Sequence, residues 1–317
     1  MSIIVISGPT ACGKTAVAIK LAKIIDGEII SADSMQIYRG MDIGTAKPSI
    51  AEREGIPHHM LDVASPHEDF SAARFGQMAR EVIADIQLRD KIPILAGGTG
   101  FYIKAALDED FLASENDDES IRKKLELLDS KILYERLKEA DPRSAERIHP
   151  NNIKRVIRAL AYYETHGRPF SANEQKEQQH KANITILHRD RAKLYEAINR
   201  RVEDMIQLGL VEEVKQLIES GLSEGSTAIQ ALGYKEFLPY FRNECNLEEV
   251  KANIKQGSRR YAKRQLTWFR NQIKGANWLS MDNLTAEAAA IEIMKEANFS
   301  FFQQITNACR KEGFARL

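Results

Sequence analysis

The feature that most constrains the fold is a strand, a glycine loop and a helix at the start of the chain. Residues 3–6 form a β-branched apolar run, the pattern of a strand buried on both faces. The next residues match G-x-x-x-x-G-K-[ST] at every fixed position, and apolar residues at helical spacing follow. The backbone N–H groups of such a loop, with the positive end of the helix dipole, bind phosphate groups. The loop residues are Gly8, Pro9, Thr10, Ala11, Cys12, Gly13, Lys14 and Thr15.

Two side chains of this loop have predicted roles. Lys14 supplies a mobile positive charge for the outer phosphate, and the Thr15 hydroxyl is a ligand for Mg²⁺. The alternative is a strand-to-helix turn that happens to contain glycines, but the flanking strand and helix favour phosphate binding. The motif indicates a phosphate or a diphosphate and does not specify ATP.

Length and composition limit the class of protein. The 317 residues allow one large domain or two, and 43% hydrophobic residues suffice for a sizeable core. The formal net charge is zero, so any case for a nucleic-acid partner rests on local charge. We expect no membrane partner and no signal peptide, because no apolar run approaches a spanning length and the chain opens directly into its first strand. Three scattered cysteines without a CxxC pair predict a reduced, cytoplasmic location and no zinc site.

A second short strand, residues 27–34, contains Asp33 at its end. Ligands of open α/β sheets bind at the carboxyl ends of the strands, so we expect Asp33 at the same edge as the glycine loop. Taken alone, such an Asp is more often a helix cap or a turn residue. Its place beside a phosphate site favours a functional role.

A third strand, residues 91–96, ends in Gly97 and Gly98, where many P-loop NTPases carry a metal-binding Asp. Glycines at this point allow a ligand or another backbone to come close. His58 and His59 lie on an extended segment and point to opposite faces, so we predict a strand edge there rather than a metal site.

The middle of the chain predicts a helical insertion. Residues 121–180 show helical patterns without a strand signal, including a stripe of Leu125, Leu128, Ile132, Leu133 and Leu137, and strand character returns at 183–187. We therefore predict an α/β fold, with a P-loop parallel-sheet core at 1–111 and 182–317 and an inserted all-helical domain at 112–181. One continuous α/β domain with a helical excursion is the alternative.

A basic segment lies near the end of the chain. Residues 259–274 hold six Lys or Arg and no acid, and a helix would place three of these cations on one face. Such a concentration in a neutral protein indicates a surface for a polyanion. The alternative is a solvated helix with Trp268 and Phe269 in the core. The three cations of this face are Arg260, Lys263 and Arg264.

A turn before the basic segment contains Tyr234. Taken alone, this turn is only a helix–turn–helix junction with an exposed aromatic ring, but beside a basic surface we predict that the ring stacks on a base.

Seven blocks occur in a fixed order: GPTACGKT (8–15), SADSMQIY (31–38), GTAKP (44–48), PHHMLD (57–62), GGTGFY (97–102), ALGYKE (231–236) and RRYAKRQLTWFR (259–270). Together they resemble the bacterial tRNA dimethylallyltransferase family, also called tRNA isopentenyltransferases. The resemblance implies transfer of a dimethylallyl group from dimethylallyl diphosphate to N6 of adenosine 37, in tRNAs that read codons beginning with U. It implies a P-loop core with a helical insertion that contacts the tRNA anticodon stem-loop. We expect a monomer.

The resemblance also implies residue roles. The glycine loop with Lys14 holds the diphosphate and Mg²⁺, and Thr10 lies near the bridging oxygen. Asp33 accepts a proton from N6 as it attacks the allylic carbon. Arg201 adds charge on the diphosphate, with Arg200 as the alternative. The positions matching tRNA contacts are Asp33, Ser34, Met35, Gln36, Thr99, Lys154, Arg155, Val156, Ile157, Arg158, Gln230, Ala231, Leu232, Gly233, Tyr234 and Lys235.

One loop residue departs from the family pattern, since Cys12 stands where the family usually has Ser. Backbone N–H groups do most of the binding there, so we expect activity to survive. A helix start lowers the pKa of a thiol, which predicts sensitivity to oxidants.

Two other functions remain open from the sequence. A P-loop kinase of a small metabolite would use Lys14, Thr15 and Asp33 and would turn over ATP, but it has no use for the basic segment. A nucleotide-dependent RNA-binding switch would bind RNA and form no product.

Overall fold

The computed structural model describes residues 2–108, 119–175 and 182–297. The chain divides into two compact units, one of Met1–Ile103 with His180–Leu317 and one of Lys104–Gln179. The connections predicted near residues 112 and 181 lie outside the described residues, as does Cys309. No helix in the described part of the chain is long and apolar enough to cross a membrane.

The first unit contains a six-stranded parallel sheet, with strands β1 (Ile3–Ser7), β2 (Gly27–Ser31), β3 (His58–His59), β4 (Ile92–Gly97), β5 (Ala182–His188) and β6 (Asn277–Ser280). The strands lie in the order β3-β2-β4-β1-β5-β6. The helices of this unit are α1 (Lys14–Ile25), α2 (Ala72–Leu88), α8 (Arg191–Gln207), α9 (Leu210–Glu219), α10 (Leu238–Phe241), α11 (Leu247–Gln272) and a last helical segment at residues 286–297, with α3 (Gly100–Leu107) running into the second unit. The predicted α/β class with a parallel sheet is confirmed.

An inner strand of this sheet is β1, which pairs with β4 on one side and β5 on the other, and all five of its residues are buried. Ile6 pairs with Ala96 of β4 and Thr185 of β5, so the three strands end near one another. Their carboxyl ends therefore form one edge, from which the glycine loop and the loop after β4 begin.

The two outer strands were predicted unequally well. The strand-edge interpretation of His58 and His59 is confirmed, since they form the edge strand β3. His59 pairs with the buried Glu28, whose carboxylate is also bound by Arg89, and these bonds lower the pKa of Glu28 to about 2. The other edge strand, β6, was missed, because its four half-buried residues show no clear alternation.

The second unit is helical in its described part, with α4 (Glu119–Glu126), α5 (Ser130–Ala140), α6 (Pro142–Arg147) and α7 (Ile153–His166). Leu125, Leu133 and Leu137 lie in its core. The predicted stripe is wrong at Ile132, which is 49% exposed, because α4 ends and α5 begins within the stripe and the helical period is interrupted.

Candidate active site at the carboxyl edge of the sheet

The glycine loop joins β1 to α1 and depends on glycine at two positions. Gly13 directly precedes α1 with a φ of 89°, a conformation that other residues adopt at a cost. Gly8 lies against β5, where a Cβ atom would be 2.3 Å from the carbonyl oxygen of Leu187. The motif glycines therefore set the path of the loop onto the start of α1, where N–H groups face an incoming anion.

Lys14 opens α1 and folds back over the loop, where its Nζ donates a hydrogen bond to the carbonyl oxygen of Pro9 at 2.8 Å. Burial lowers the pKa of Lys14 to about 8, an effect that the charge of Asp33 opposes and that of Arg201 increases. These effects place Lys14 within electrostatic range of both residues. Thr15, the next residue, is exposed in the first turn of α1.

Asp33 follows the end of β2 and faces the same edge. Its Oδ1 accepts a hydrogen bond from the N–H of Met35 at 2.9 Å, so the turn interpretation describes part of its geometry. The Thr99 Oγ1 accepts from the N–H of Ser34 at 3.0 Å, which ties the Asp33 turn to the loop after β4. A Cβ at Gly97 would lie 2.1 Å from the carbonyl oxygen of Ala32. The predicted close backbone approach at this glycine is therefore confirmed.

Two adjacent arginines on α8 have different surroundings. Arg201 is partly buried, its Nη2 donates to the carbonyl oxygen of Thr45 at 3.4 Å, and the charge of Asp33 partly offsets the lowering of its pKa by burial. The side chain of Arg200 is 70% exposed and pairs with Glu196 at 2.7 Å. Of the two candidates, Arg201 is the one near Lys14 and Asp33.

Gln265 of α11 is a site residue that the sequence analysis missed. Its Oε1 accepts from the N–H of Thr10 at 3.0 Å and its Nε2 donates to the carbonyl oxygen of Gly98 at 2.9 Å, with the residue 7% exposed. A Cβ at Gly98 would lie 2.4 Å from that Nε2. Gly98 was the sequence feature that could have indicated a close approach at this point. The group that approaches it is the Gln265 side chain rather than a ligand.

Tyr261 lies one turn before Gln265 and borders the site. Burial raises its pKa to about 12, the charge of Asp33 adds to this, and a hydrogen bond with Thr99 opposes it. The guanidinium carbon of Arg264 lies 5.5 Å from the centroid of its ring. The helix α11 therefore contacts the glycine loop, the loop after β4 and the surroundings of Asp33.

The solvent side of α11 forms a groove of about 550 Å³. Phe269 is 1% exposed, so the alternative of a helix with Phe269 in the core describes one face of α11. The opposite face is the cationic one. Because residues 250–272 contain no acid, the positive charge of the groove has no balancing carboxylate in that stretch of the helix. The groove is lined by Arg260, Lys263, Arg264, Thr267, Trp268, Asn271 and Gln272.

The prediction that Tyr234 stacks on a base is wrong. The residue is 0% exposed, and its hydroxyl donates to the Oε1 of Glu213 at 2.7 Å. Its ring packs on Gly44, where a Cβ would lie 2.5 Å from a ring atom. In the same segment Ala231 and Gly233 are buried and Leu232 is half-buried, which leaves Gln230 and Lys235 exposed.

The predicted RNA contact of Gln36 is wrong for its side chain, which is buried. Its Oε1 accepts from the hydroxyl of Ser31 at 2.9 Å, and its Nε2 donates to the carbonyl oxygens of Thr45 and Ala46, each at 3.2 Å. Met35, like Asp33 and Ser34, is half-buried.

The predicted contacts on α7 divide by helix face. Val156 is 0% and Ile157 is 6% exposed, both in the core of the helical unit, so the predicted contact is wrong for these side chains. Lys154 and Arg155 are exposed. Arg158 is half-buried, with its guanidinium carbon 5.8 Å from the ring centroid of Phe170.

The prediction of a reactive Cys12 is wrong. The residue is 0% exposed and packs in the core beside Val17 and Leu187, and burial raises the pKa of its thiol to about 11. A neutral, enclosed thiol is a poor target for oxidants.

The arrangement combines two cations with a carboxylate beside the glycine loop. Lys14 and Arg201 lie near the glycine loop, where they can attract an anion such as a phosphate, and Asp33 lies within electrostatic range of both cations. In the described residues no three His, Cys, Asp or Glu side chains are grouped for a metal. Mg²⁺ does not require such a group, since it binds through few protein oxygens plus substrate phosphates, and the exposed Thr15 hydroxyl fits that arrangement.

Comparisons with known proteins agree with one another. A family model described as IPP transferase matches residues 36–272. The chain is 48% identical over 305 residues to a tRNA dimethylallyltransferase of Anoxybacillus flavithermus, covering 94% of this chain and 97% of that protein. The full-length tRNA isopentenylpyrophosphate transferase of Bacillus halodurans is 39% identical with a TM-score of 0.73, covering 98% of this chain and 99% of its own. A eukaryotic dimethylallyltransferase crystallised acting on tRNA is 33% identical with a TM-score of 0.81, and the match covers 89% of this chain and 74% of that protein's chain.

Proposed function

Since the chain belongs to the IPP transferase family, we propose that it transfers the dimethylallyl group of dimethylallyl diphosphate to N6 of adenosine 37, in tRNAs that read codons beginning with U. It is a prenyltransferase that modifies tRNA. The observation that carries the finer proposal is the convergence of Lys14, Arg201 and Asp33 beside the glycine loop. A tRNA substrate and free thiols fit a cytoplasmic enzyme, and we propose that it acts as a monomer.

The anion site acts on the leaving group. The allylic C–O bond breaks with positive charge developing on carbon and negative charge on the diphosphate. In this proposal the loop N–H groups, Lys14 and Arg201 stabilise that negative charge, and electrostatic stabilisation of this kind is usually the largest catalytic effect. Thr10, whose N–H is bound by Gln265, lies in the first turn of the loop, near the bridging oxygen in this proposal. Mg²⁺ held by Thr15 and the diphosphate supplies further neutralisation when bound.

Asp33 acts on the acceptor. An exocyclic amine is a poor nucleophile, and a carboxylate at hydrogen-bond distance orients it and takes its proton. The base must first leave the stack of the anticodon loop, so we expect a flipped base beside Asp33 and Thr99. The cationic groove of α11 binds neighbouring phosphates, while Lys154, Arg155 and the rest of the helical unit contact the anticodon stem.

A two-donor assay tests the proposal. Purified protein and Mg²⁺ are mixed with a tRNA that reads a codon beginning with U, and one reaction receives dimethylallyl diphosphate while the other receives ATP. The tRNA is digested and its nucleosides are weighed. We expect a dimethylallyl mass gain on adenosine in the first reaction alone. ATP consumption without such a gain supports the kinase alternative, and tRNA binding without any product supports the RNA-binding switch.

The pKa of about 8 for Lys14 predicts a pH dependence. Diphosphate binds the ammonium form of Lys14 and so raises the pKa of Lys14. Above the pKa of the free enzyme, binding must therefore be accompanied by uptake of a proton, and the affinity falls as the pH rises. Because kcat/KM follows groups of the free enzyme, we expect kcat/KM for dimethylallyl diphosphate at saturating tRNA to fall about tenfold per pH unit above that pKa.

Lys14→Arg is the matched control for this profile, because a guanidinium stays charged throughout the range. We expect the alkaline decline to disappear in this variant, whatever its absolute rate. A wild-type profile that stays flat to roughly two units above the pKa contradicts the assignment of Lys14.

The groove of α11 predicts a change in salt dependence. Lys263→Ala removes one cation, and we expect it to weaken tRNA binding and to reduce the slope of log affinity against log salt by about 0.7 to 0.9. Lys295→Ala, which removes the same charge from helical residues 286–297, is the control and leaves the slope unchanged. An unchanged slope for Lys263→Ala identifies that face as merely solvated.

A further inference from the structure

The backbone of segment 41–47 binds a carboxylate that comes from a distant part of the chain. Glu213 of α9 accepts hydrogen bonds from three consecutive backbone N–H groups, those of Asp42 at 2.8 Å, Ile43 at 2.7 Å and Gly44 at 3.0 Å. Its Oε1 also accepts from the hydroxyl of Tyr234 at 2.7 Å. Three successive N–H groups form a concave anion site, which here an internal side chain fills. We call these groups the Glu213 cluster: Glu213, Tyr234 and the N–H groups of residues 42–44.

The Glu213 cluster leads directly to the candidate active site. The residue after Gly44 is Thr45, whose carbonyl oxygen accepts from Arg201 at 3.4 Å and from Gln36 at 3.2 Å. The Thr45 hydroxyl donates to the carbonyl oxygen of Met41 at 2.6 Å, which closes the turn. The acceptor that holds Arg201 is thus one residue from the backbone that Glu213 binds.

The far end of the segment is also fixed. Lys47 is buried and its Nζ binds the carbonyl oxygen of Tyr38 at 2.8 Å and the carboxylates of Asp42 and Asp62 at 2.5 Å and 2.6 Å. Between these anchors the segment has little freedom, so the place of the Thr45 carbonyl follows from the contacts on either side.

We propose that Glu213 and Tyr234 are positioning residues, which hold the Thr45 carbonyl where it orients Arg201 toward the diphosphate. This inference rests on the proposed function, specifically on Arg201 as a ligand of the diphosphate. It gives the ALGYKE block a role other than base stacking, because Tyr234 both orients the carboxylate and packs its ring on Gly44. Arg201 is the residue that touches substrate, and the Glu213 cluster acts through it.

Glu213→Gln is the main test, because an amide has one acceptor oxygen for a site that offers four donors. We expect kcat/KM for dimethylallyl diphosphate to fall about tenfold, the effect of losing a hydrogen bond to a charged group, with KM for tRNA unchanged. Glu212→Gln is the control. It lies next on the same helix, is exposed, and its carboxylate accepts from Gln216 at 3.3 Å.

A double-mutant cycle separates positioning from a general structural role. If Glu213 acts through Arg201, the effect of Glu213→Gln nearly disappears in an Arg201→Ala background, since the two changes remove one interaction. Additive effects overturn the inference.

If Glu213→Gln does not fold, Tyr234→Phe serves in its place, because it keeps the ring on Gly44 and loses only the hydroxyl bond. Failure of the wild type to transfer the dimethylallyl group refutes the proposed function itself. Transfer that falls in Arg201→Ala and not in Glu213→Gln or Tyr234→Phe refutes the inference alone.

Discussion

Asp33→Asn lowers the rate of dimethylallyl transfer by about 10²- to 10⁴-fold, the usual range for loss of a positioned general base. The amide is close to the carboxylate in size and keeps an oxygen for the Met35 N–H, which Asp33 binds at 2.9 Å. The turn therefore persists, and what is lost is the ability to take the N6 proton. Single-turnover transfer, with enzyme in excess over tRNA, measures this step without product release.

Affinity for tRNA is the second measurement on the same variant. We expect it to stay within about threefold of wild type, because the change removes one negative charge from a surface that binds a polyanion. An RNA-binding switch would be indifferent to the substitution in every assay. A loss of tRNA affinity as large as the loss of rate identifies Asp33 as a binding residue rather than a base.

Asp26→Asn is a matched control because it makes the same chemical change at the opposite end of the same strand. Asp26 directly precedes β2, pairs with Lys91 at 2.7 Å, and has a φ of 51° that Asn also tolerates. We expect its rate to remain within about twofold of wild type, since exposed ion pairs contribute little. Comparable losses of rate in both variants indicate that removing a negative charge at either end of β2 is the cause, rather than removing the Asp33 carboxylate in particular.

The parts of the site that the sequence predicted are those whose evidence is local. The first strand, glycine loop and helix are contiguous, and one motif spans them. Asp33 was identified because parallel strands bring their carboxyl ends together, whatever the order of the strands. The cationic face of α11 follows from helical spacing within fifteen residues. Each inference needed a pattern in one segment and a general rule of architecture.

The parts that were missed depend on contacts between distant segments. Gln265 binds Thr10, which lies 255 residues away in the chain, and no local sequence pattern near either residue predicts the contact. The burial of Tyr234 depends on Gly44 and Glu213, which belong to two other segments. The reactive thiol was a failure of another kind. A helix start lowers a thiol pKa only where the sulfur remains near the N–H groups and solvent, and Cys12 instead points into the core.

Lys14→Met is the second variant for which we expect a large effect, a fall of about 10²- to 10³-fold in kcat/KM for dimethylallyl diphosphate. Methionine fills a similar volume without charge, so the change isolates the ammonium group. Wild-type Lys14 is held by the Pro9 carbonyl at 2.8 Å before substrate arrives, and the diphosphate offers the same donor a much stronger acceptor. Binding of inorganic diphosphate, followed by calorimetry, is expected to weaken in parallel.

The thermal stability of this variant is expected to move the other way. Burial lowers the pKa of Lys14 to about 8, so the folded state holds the ammonium less readily than the unfolded chain does. Near neutral pH the charged lysine therefore opposes folding, and this cost disappears only as the pH rises toward the unfolded pKa. Lys14→Met removes it, and we expect a Tm equal to or above that of wild type. A loss of activity with a gain in stability is typical of a charge retained for function.

Lys23→Met provides the control, because it makes the same substitution in the last turn of the same helix. Lys23 is 45% exposed and pairs with Glu54 at 2.6 Å, so we expect activity within about twofold of wild type. Retention of kcat/KM within about tenfold in Lys14→Met would show that the loop does not act through a side-chain cation, since no other loop side chain supplies a positive charge. The pair of variants thus tests whether the glycine loop acts through its lysine or through its backbone alone.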